Sequence, residues 1–117
     1  MTRVILMTGA LVLGLGLSSC FGGGPTPEQR AEAQCAAEGG KMQRVGRMQT
    51  LQCVLQYPDA GKTCSDAAQC QGECRVSGSV IVEEGRSVEG QCTADSSPFG
   101  CYTRVENGRA TAAICVD

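Results

Sequence analysis

Nine cysteines hold most of the reactive chemistry in this chain of 117 residues. Eight of them (Cys35, Cys53, Cys64, Cys70, Cys74, Cys92, Cys101 and Cys115) lie beyond residue 34. An even set of thiols is what internal cross-linking consumes. Cys20 stands apart at the end of Leu17-Ser18-Ser19-Cys20, directly after an apolar run. Histidine is absent, which removes the commonest general base and metal ligand. Ser-His-Asp and Cys-His arrangements are therefore excluded. A Ser-Lys pair would need Lys41 or Lys62, and no spacing places a serine beside either. Glu83-Glu84 are neighbours that point to opposite faces of a strand and read as a solvated turn. Gly61-Lys62-Thr63 lacks the earlier glycine of a phosphate-binding loop, since position 56 is Gln56. It reads as a turn with a solvated lysine. The residues predict no catalytic site and no cofactor.

The elements around Cys20 read as an export signal. Arg3 precedes an apolar stretch from Val4 to Leu17, and small residues follow it. As a helix that stretch spans about 21 Å, short of the roughly 30 Å hydrocarbon core. Leu17-Ser18-Ser19-Cys20 resembles the lipobox of bacterial lipoproteins, with leucine three before the cysteine and small residues between. The resemblance implies diacylglyceryl attachment at the Cys20 sulfur, removal of residues 1–19 and acylation of the new amino group. Phe21 stands where an aspartate in enteric bacteria would favour inner-membrane retention, so the same resemblance favours the outer membrane. Ordinary signal cleavage is the alternative, and it would leave Cys20 as an odd thiol. The resemblance implies a protein of the bacterial envelope, held to the membrane through Cys20, and names no protein partner.

Gly22-Gly23-Gly24-Pro25-Thr26 then reads as a tether, so residues 20–26 form lipidated cysteine plus spacer. Residues 27–117 form one small domain. Its apolar material is thin, with no tryptophan; Met42, Val45, Met48, Leu51, Val54, Leu55, Tyr57, Val76, Val80 to Val82, Val88, Phe99, Tyr102, Val105, Ile114 and Val116 are the core candidates. Cross-links are expected to supply what such a core lacks. Cys70 and Cys74 have a zinc-like separation, but the other spacings are irregular; export to an oxidising compartment favours disulfides. Eight cysteines allow 105 pairings. The preferred set is Cys35 to Cys53, Cys64 to Cys74, Cys70 to Cys92 and Cys101 to Cys115. The formal net charge is −2, with basic residues scattered, so no patch tracks a nucleic-acid backbone.

The fold class expected is small, disulfide-rich and mainly β, built of hairpins with one N-terminal α-helix. Thr26-Pro27-Glu28-Gln29 predicts a capped helix start, and Gly39-Gly40 its end. Cys35 and Ala31 share a face that should pack inward. A hairpin is predicted from Lys41 to Tyr57 around Gly46-Arg47, and a turn at Pro58 to Gly61. Ser65 to Gln69 predicts one helical turn carrying Cys70. A second hairpin is predicted from Val76 to Gln91 around Glu84-Gly85, and a third around Asn107-Gly108. Gly46-Arg47 to Cys53-Val54 repeats in spacing as Gly108-Arg109 to Cys115-Val116, which points to shared ancestry or to convergent hairpin chemistry. The 83–90 turn, with Arg86, is the alternative functional element: a protease-inhibitor or ligand-binding loop. The mature part also loosely resembles small cysteine-rich exported bacterial proteins, a likeness that implies no activity.

Overall fold

A computed structural model of the chain describes residues 22–78 and 80–117. Cys20 and the signal-like segment lie outside the described residues. The first described element is α1 (Pro27–Ala37). Thr26 Oγ1 accepts from the Gln29 N–H at 3.2 Å, and Gln29 Oε1 accepts from the Thr26 N–H at 2.9 Å. This reciprocal cap starts the helix, and Gly39, at φ +81°, ends it. The helix opens the folded part and is not at the chain's N-terminus, a correction to the expected placement. Of its residues only Cys35 is buried. Ala31 is exposed, contrary to expectation. The helix is joined to the sheet through the Cys35–Cys53 bridge and buries no other of its residues.

Beneath α1 lies a two-stranded antiparallel sheet of β1 (Gly40–Val45) and β2 (Thr50–Leu55). Its register runs from Gly40 opposite Leu55 to Val45 opposite Thr50. Gly40 must be a glycine here: a Cβ would stand 2.7 Å from Cys53 Sγ and 2.9 Å from Cys35 Sγ. The chain leaving β2 docks on the rest of the domain. Gln56 bridges Asp95, Tyr57 donates its N–H to Ala94 at 2.9 Å, and the Leu55 N–H reaches Ser96 Oγ at 2.9 Å.

The second sheet has five short strands: β3 (Thr63–Cys64), β4 (Cys74–Arg75), β5 (Gly90–Cys92), β6 (Gly100–Glu106) and β7 (Arg109–Val116). Their order is β3-β5-β4-β6-β7. Asn107 and Gly108 both have positive φ, 49° and 73°, and close a two-residue hairpin between Glu106 and Arg109. A 3-10 turn (Ala67–Gln69) leads into Cys70, capped by Asp66. The centre of this sheet is sulfur-rich: Cys64, Cys74, Cys92 and Val105 form the buried cluster. Gly90 sits against it, where a Cβ would stand 2.7 Å from Cys74 Sγ and 2.9 Å from Val105 Cγ2. Four disulfides and this mainly β layout mark a protein of an oxidising, extracytoplasmic compartment. Among the described residues no helix is long and apolar enough to cross a membrane.

The predicted hairpin from Val76 to Gln91 is overturned. The turn at Glu84-Gly85 exists, closed by Arg86 N–H to Glu83 at 3.2 Å. Its two arms, however, do not pair with each other. The second arm is taken by β7: Gly85 donates to Ala110 at 2.8 Å, Ala110 to Arg86 at 2.9 Å, and Val88 to Gly108 at 3.0 Å. The first arm runs past β6, where the buried Thr103 hydroxyl donates to the Val80 carbonyl and accepts from the Val82 N–H, both at 3.4 Å. Satisfied backbone, not strand propensity, decides the arrangement. Val80 and Ile81 are consequently 52% and 64% exposed, and Met48 and Leu51 also lie outside the core. The two similarly spaced Gly-Arg hairpins also differ in build, since Gly46 opens a four-residue connection and Gly108 completes a two-residue one.

Candidate functional site

The structure joins the eight cysteines beyond residue 34 as Cys35–Cys53, Cys64–Cys74, Cys70–Cys92 and Cys101–Cys115. These are the four couples preferred from the sequence. The first ties α1 to β2, the second β3 to β4, the third the 3-10 turn to β5, and the fourth β6 to β7. The sulfurs of Cys64, Cys70 and Cys74 lie within 4.8 Å of one another, but each is spent in a bond. A thiolate ligand set would require their reduction.

Other sequence-marked residues are scattered. Lys62 Nζ donates to the Gln69 carbonyl at 3.2 Å. Thr63 opens a strand and not a helix, so no phosphate loop forms there. Glu83, Glu84 and Arg86 are exposed on their turn. Arg86 lends its carbonyl to Ala110, and Gly85 lends its carbonyl to Arg109 Nη1 at 3.0 Å. The backbone of the 83–90 segment is thus engaged internally at Gly85, Arg86 and Val88.

A different set of residues converges on one face. Arg75 on β4 donates through Nε and Nη2 to the same oxygen, Glu73 Oε2, each at 2.7 Å. Its guanidinium carbon lies 3.5 Å above the centroid of the Tyr102 ring, a cation–π contact. Arg104 Nη1 is 3.7 Å from the other Glu73 oxygen, and Arg104 Nε is buried without a partner. Around Arg75 lie two adjoining hollows. One, of about 320 Å³, is lined by Gln91, Phe99, Gly100 and Tyr102; the other, of about 200 Å³, by Tyr57, Gly72, Asp95 and Ser96. They meet at Arg75 and Thr93, which line both. Thr93 is itself held, since its Oγ1 accepts from the Glu73 N–H at 3.1 Å.

Local sequence explains why the rings stand where they do. Tyr57 lies on Gly72, where a Cβ would come within 2.5 Å of the ring. Phe99 lies on Gly46, where the same distance is 2.5 Å. Gly46 also has a φ of +68°, so glycine serves both the turn and the seat. Sequence reasoning missed this groove. The available signal was scarcity: the chain has two tyrosines and two phenylalanines, and each stands beside a proline or glycine or, for Tyr102, inside the last hairpin.

One carboxyl is shifted by its surroundings. Asp66 accepts from the Ala68 N–H and the Asn107 N–H, both at 2.9 Å, and these bonds, Ala68 first, hold it below its ordinary 3.8. It ties the 3-10 turn to the last hairpin and lies apart from the groove. No family model, no curated protein and no solved structure matches the chain.

Proposed function

We propose that this is a lipid-anchored bacterial envelope protein with a non-catalytic, disulfide-stabilised interaction domain. Residues 1–19 are the signal, Cys20 bears the lipid, residues 20–26 are the tether and 27–117 the domain. The outer membrane is its favoured site. The observation that carries this reading is the sulfur count: eight cysteines pair completely within the domain, leaving only Cys20, which ends a lipobox-like run. Three acyl chains would anchor the protein durably, at about 0.8 kcal/mol per buried methylene. A non-catalytic role is supported by the lack of histidine and by the mutual neutralisation of Arg75 and Glu73.

Growth with an alkyne fatty acid tests the anchor. Wild-type protein should take up the label and sediment with membranes, and Cys20→Ser should do neither. An unlabelled wild type would end the proposal. The alternative, a protease inhibitor using the 83–90 turn, is less well supported, because a substrate-like loop needs its backbone free for the protease and this one is bonded to β7.

A further inference from the structure

We infer that the groove centred on Arg75 binds a neutral polyhydroxylated ligand, a glycan chain. The inference rests on reading the domain as an interaction module and specifies what it would hold. Every aromatic side chain among the described residues lines this groove: Tyr57, Phe99 and Tyr102. Two of the rings are seated on bare glycine backbone, which fixes their position before any ligand arrives. Tyr57 and Phe99, both half-buried, offer apolar ring surface to the C–H faces of sugars, while Tyr102 is buried beneath the Arg75 guanidinium and backs the groove; polar groups beside the rings meet hydroxyls.

The polar groups fit an uncharged partner. Arg75 is fixed by Glu73 and by the Tyr102 ring. Two of its five N–H groups point to Glu73; the others have no protein partner among the described residues and stand at the junction of the two hollows. The charged residues lining the groove are one cation, Arg75, and two anions, Glu73 and Asp95. A phosphate or sulfate ligand would therefore find no net attraction. Beneath the groove β5 is paired on both sides, whereas β6 meets β4 only at Arg104, so an uncharged extended peptide is the competing occupant that the test below separates. The groove is also open along its length, which suits a chain better than a small enclosed cofactor.

The chain contains its own reporter. It has no tryptophan and only two tyrosines, and both tyrosines line the groove. Tyrosine emission of the full chain in detergent should change saturably with cellotetraose or chitotetraose. Phe99→Ala should weaken that binding by about tenfold while leaving both reporters in place. Gln91→Ala, at an exposed position, should weaken it several-fold without touching the core. Arg86→Ala, on the distant turn, should bind as wild type. The inference is overturned if neither neutral tetrasaccharide alters emission up to about 10 mM. It is equally overturned if a heparin tetrasaccharide or an uncharged extended peptide binds more tightly, or if both groove variants bind as wild type. None of these results bears on acylation at Cys20, so the anchor and the ligand fail separately.

Discussion

Single residues in this protein act mainly through what they exclude or satisfy. Gly90 leaves room for the Cys64–Cys74 bridge and Val105; the nearest atoms to an added Cβ are at 2.7, 2.8 and 2.9 Å, one of them backbone. Gly90→Ala should therefore cost about 1–3 kcal/mol in urea unfolding, whereas Gly61→Ala meets no neighbouring atom and bears only the strain of its φ of +77°. Asp66 supplies a different kind of test. Its two backbone bonds favour the carboxylate, so its folded pKa lies below its unfolded one. The stability it contributes is present above 3.8 and is lost as pH falls below that value. Melting temperatures of wild type and Asp66→Asn should differ most near neutral pH and converge as pH falls below 3.8 through the lowered folded pKa. A gap that stays constant down to acid would refute this role.

Among elements, the four bridges are not equivalent. Chain entropy alone barely separates them: loops of 10 and 22 residues differ by only about 0.7 kcal/mol in closure cost. Burial separates them better. Cys64 and Cys74 are in the core, whereas Cys101 and Cys115 are exposed on a hairpin that Asn107-Gly108 already directs. Replacing Cys64 and Cys74 together by alanine should cost about 4–5 kcal/mol or abolish folding, and replacing Cys101 and Cys115 about 2 kcal/mol. Equal losses in denaturant titrations would contradict the burial argument. The helix is the most dependent element. Eleven residues make a marginal helix in water, and α1 buries only its cysteine. Cys35→Ala with Cys53→Ala should erase amide-exchange protection over 27–37 while the five-stranded sheet keeps its own.

At the scale of the whole molecule, sulfur replaces bulk apolar side chains. Among the described residues only Val54, Tyr102, Val105 and Ala110 join four half-cystines as buried apolar residues. A domain with so few depends on oxidation, so full reduction should unfold it at neutral pH without denaturant, read by loss of tertiary circular dichroism. The same economy leaves surface free: Tyr57 and Phe99, which a larger core would have absorbed, line an open groove.

Local signals determined much of this. Thr26 to Gln29 spell a reciprocal cap, Gly46 and Asn107-Gly108 spell turns, and the thiol arithmetic limits the chemistry, because each depends on neighbours in sequence. The helix, two hairpins and the cysteine-bearing 3-10 turn were legible for that reason. The Val80-Ile81-Val82 stretch was not: its β propensity is local, but β7 and the Thr103 hydroxyl, distant in sequence, took the bonds its hairpin needed. The groove belongs to the same category. Tyr57, Arg75, Phe99 and Tyr102 come from four separate segments, and only the sheet order and the glycine seats bring them to one face. Hydrogen-bond competition and close packing are properties of the assembled chain, and no stretch of residues encodes their outcome alone.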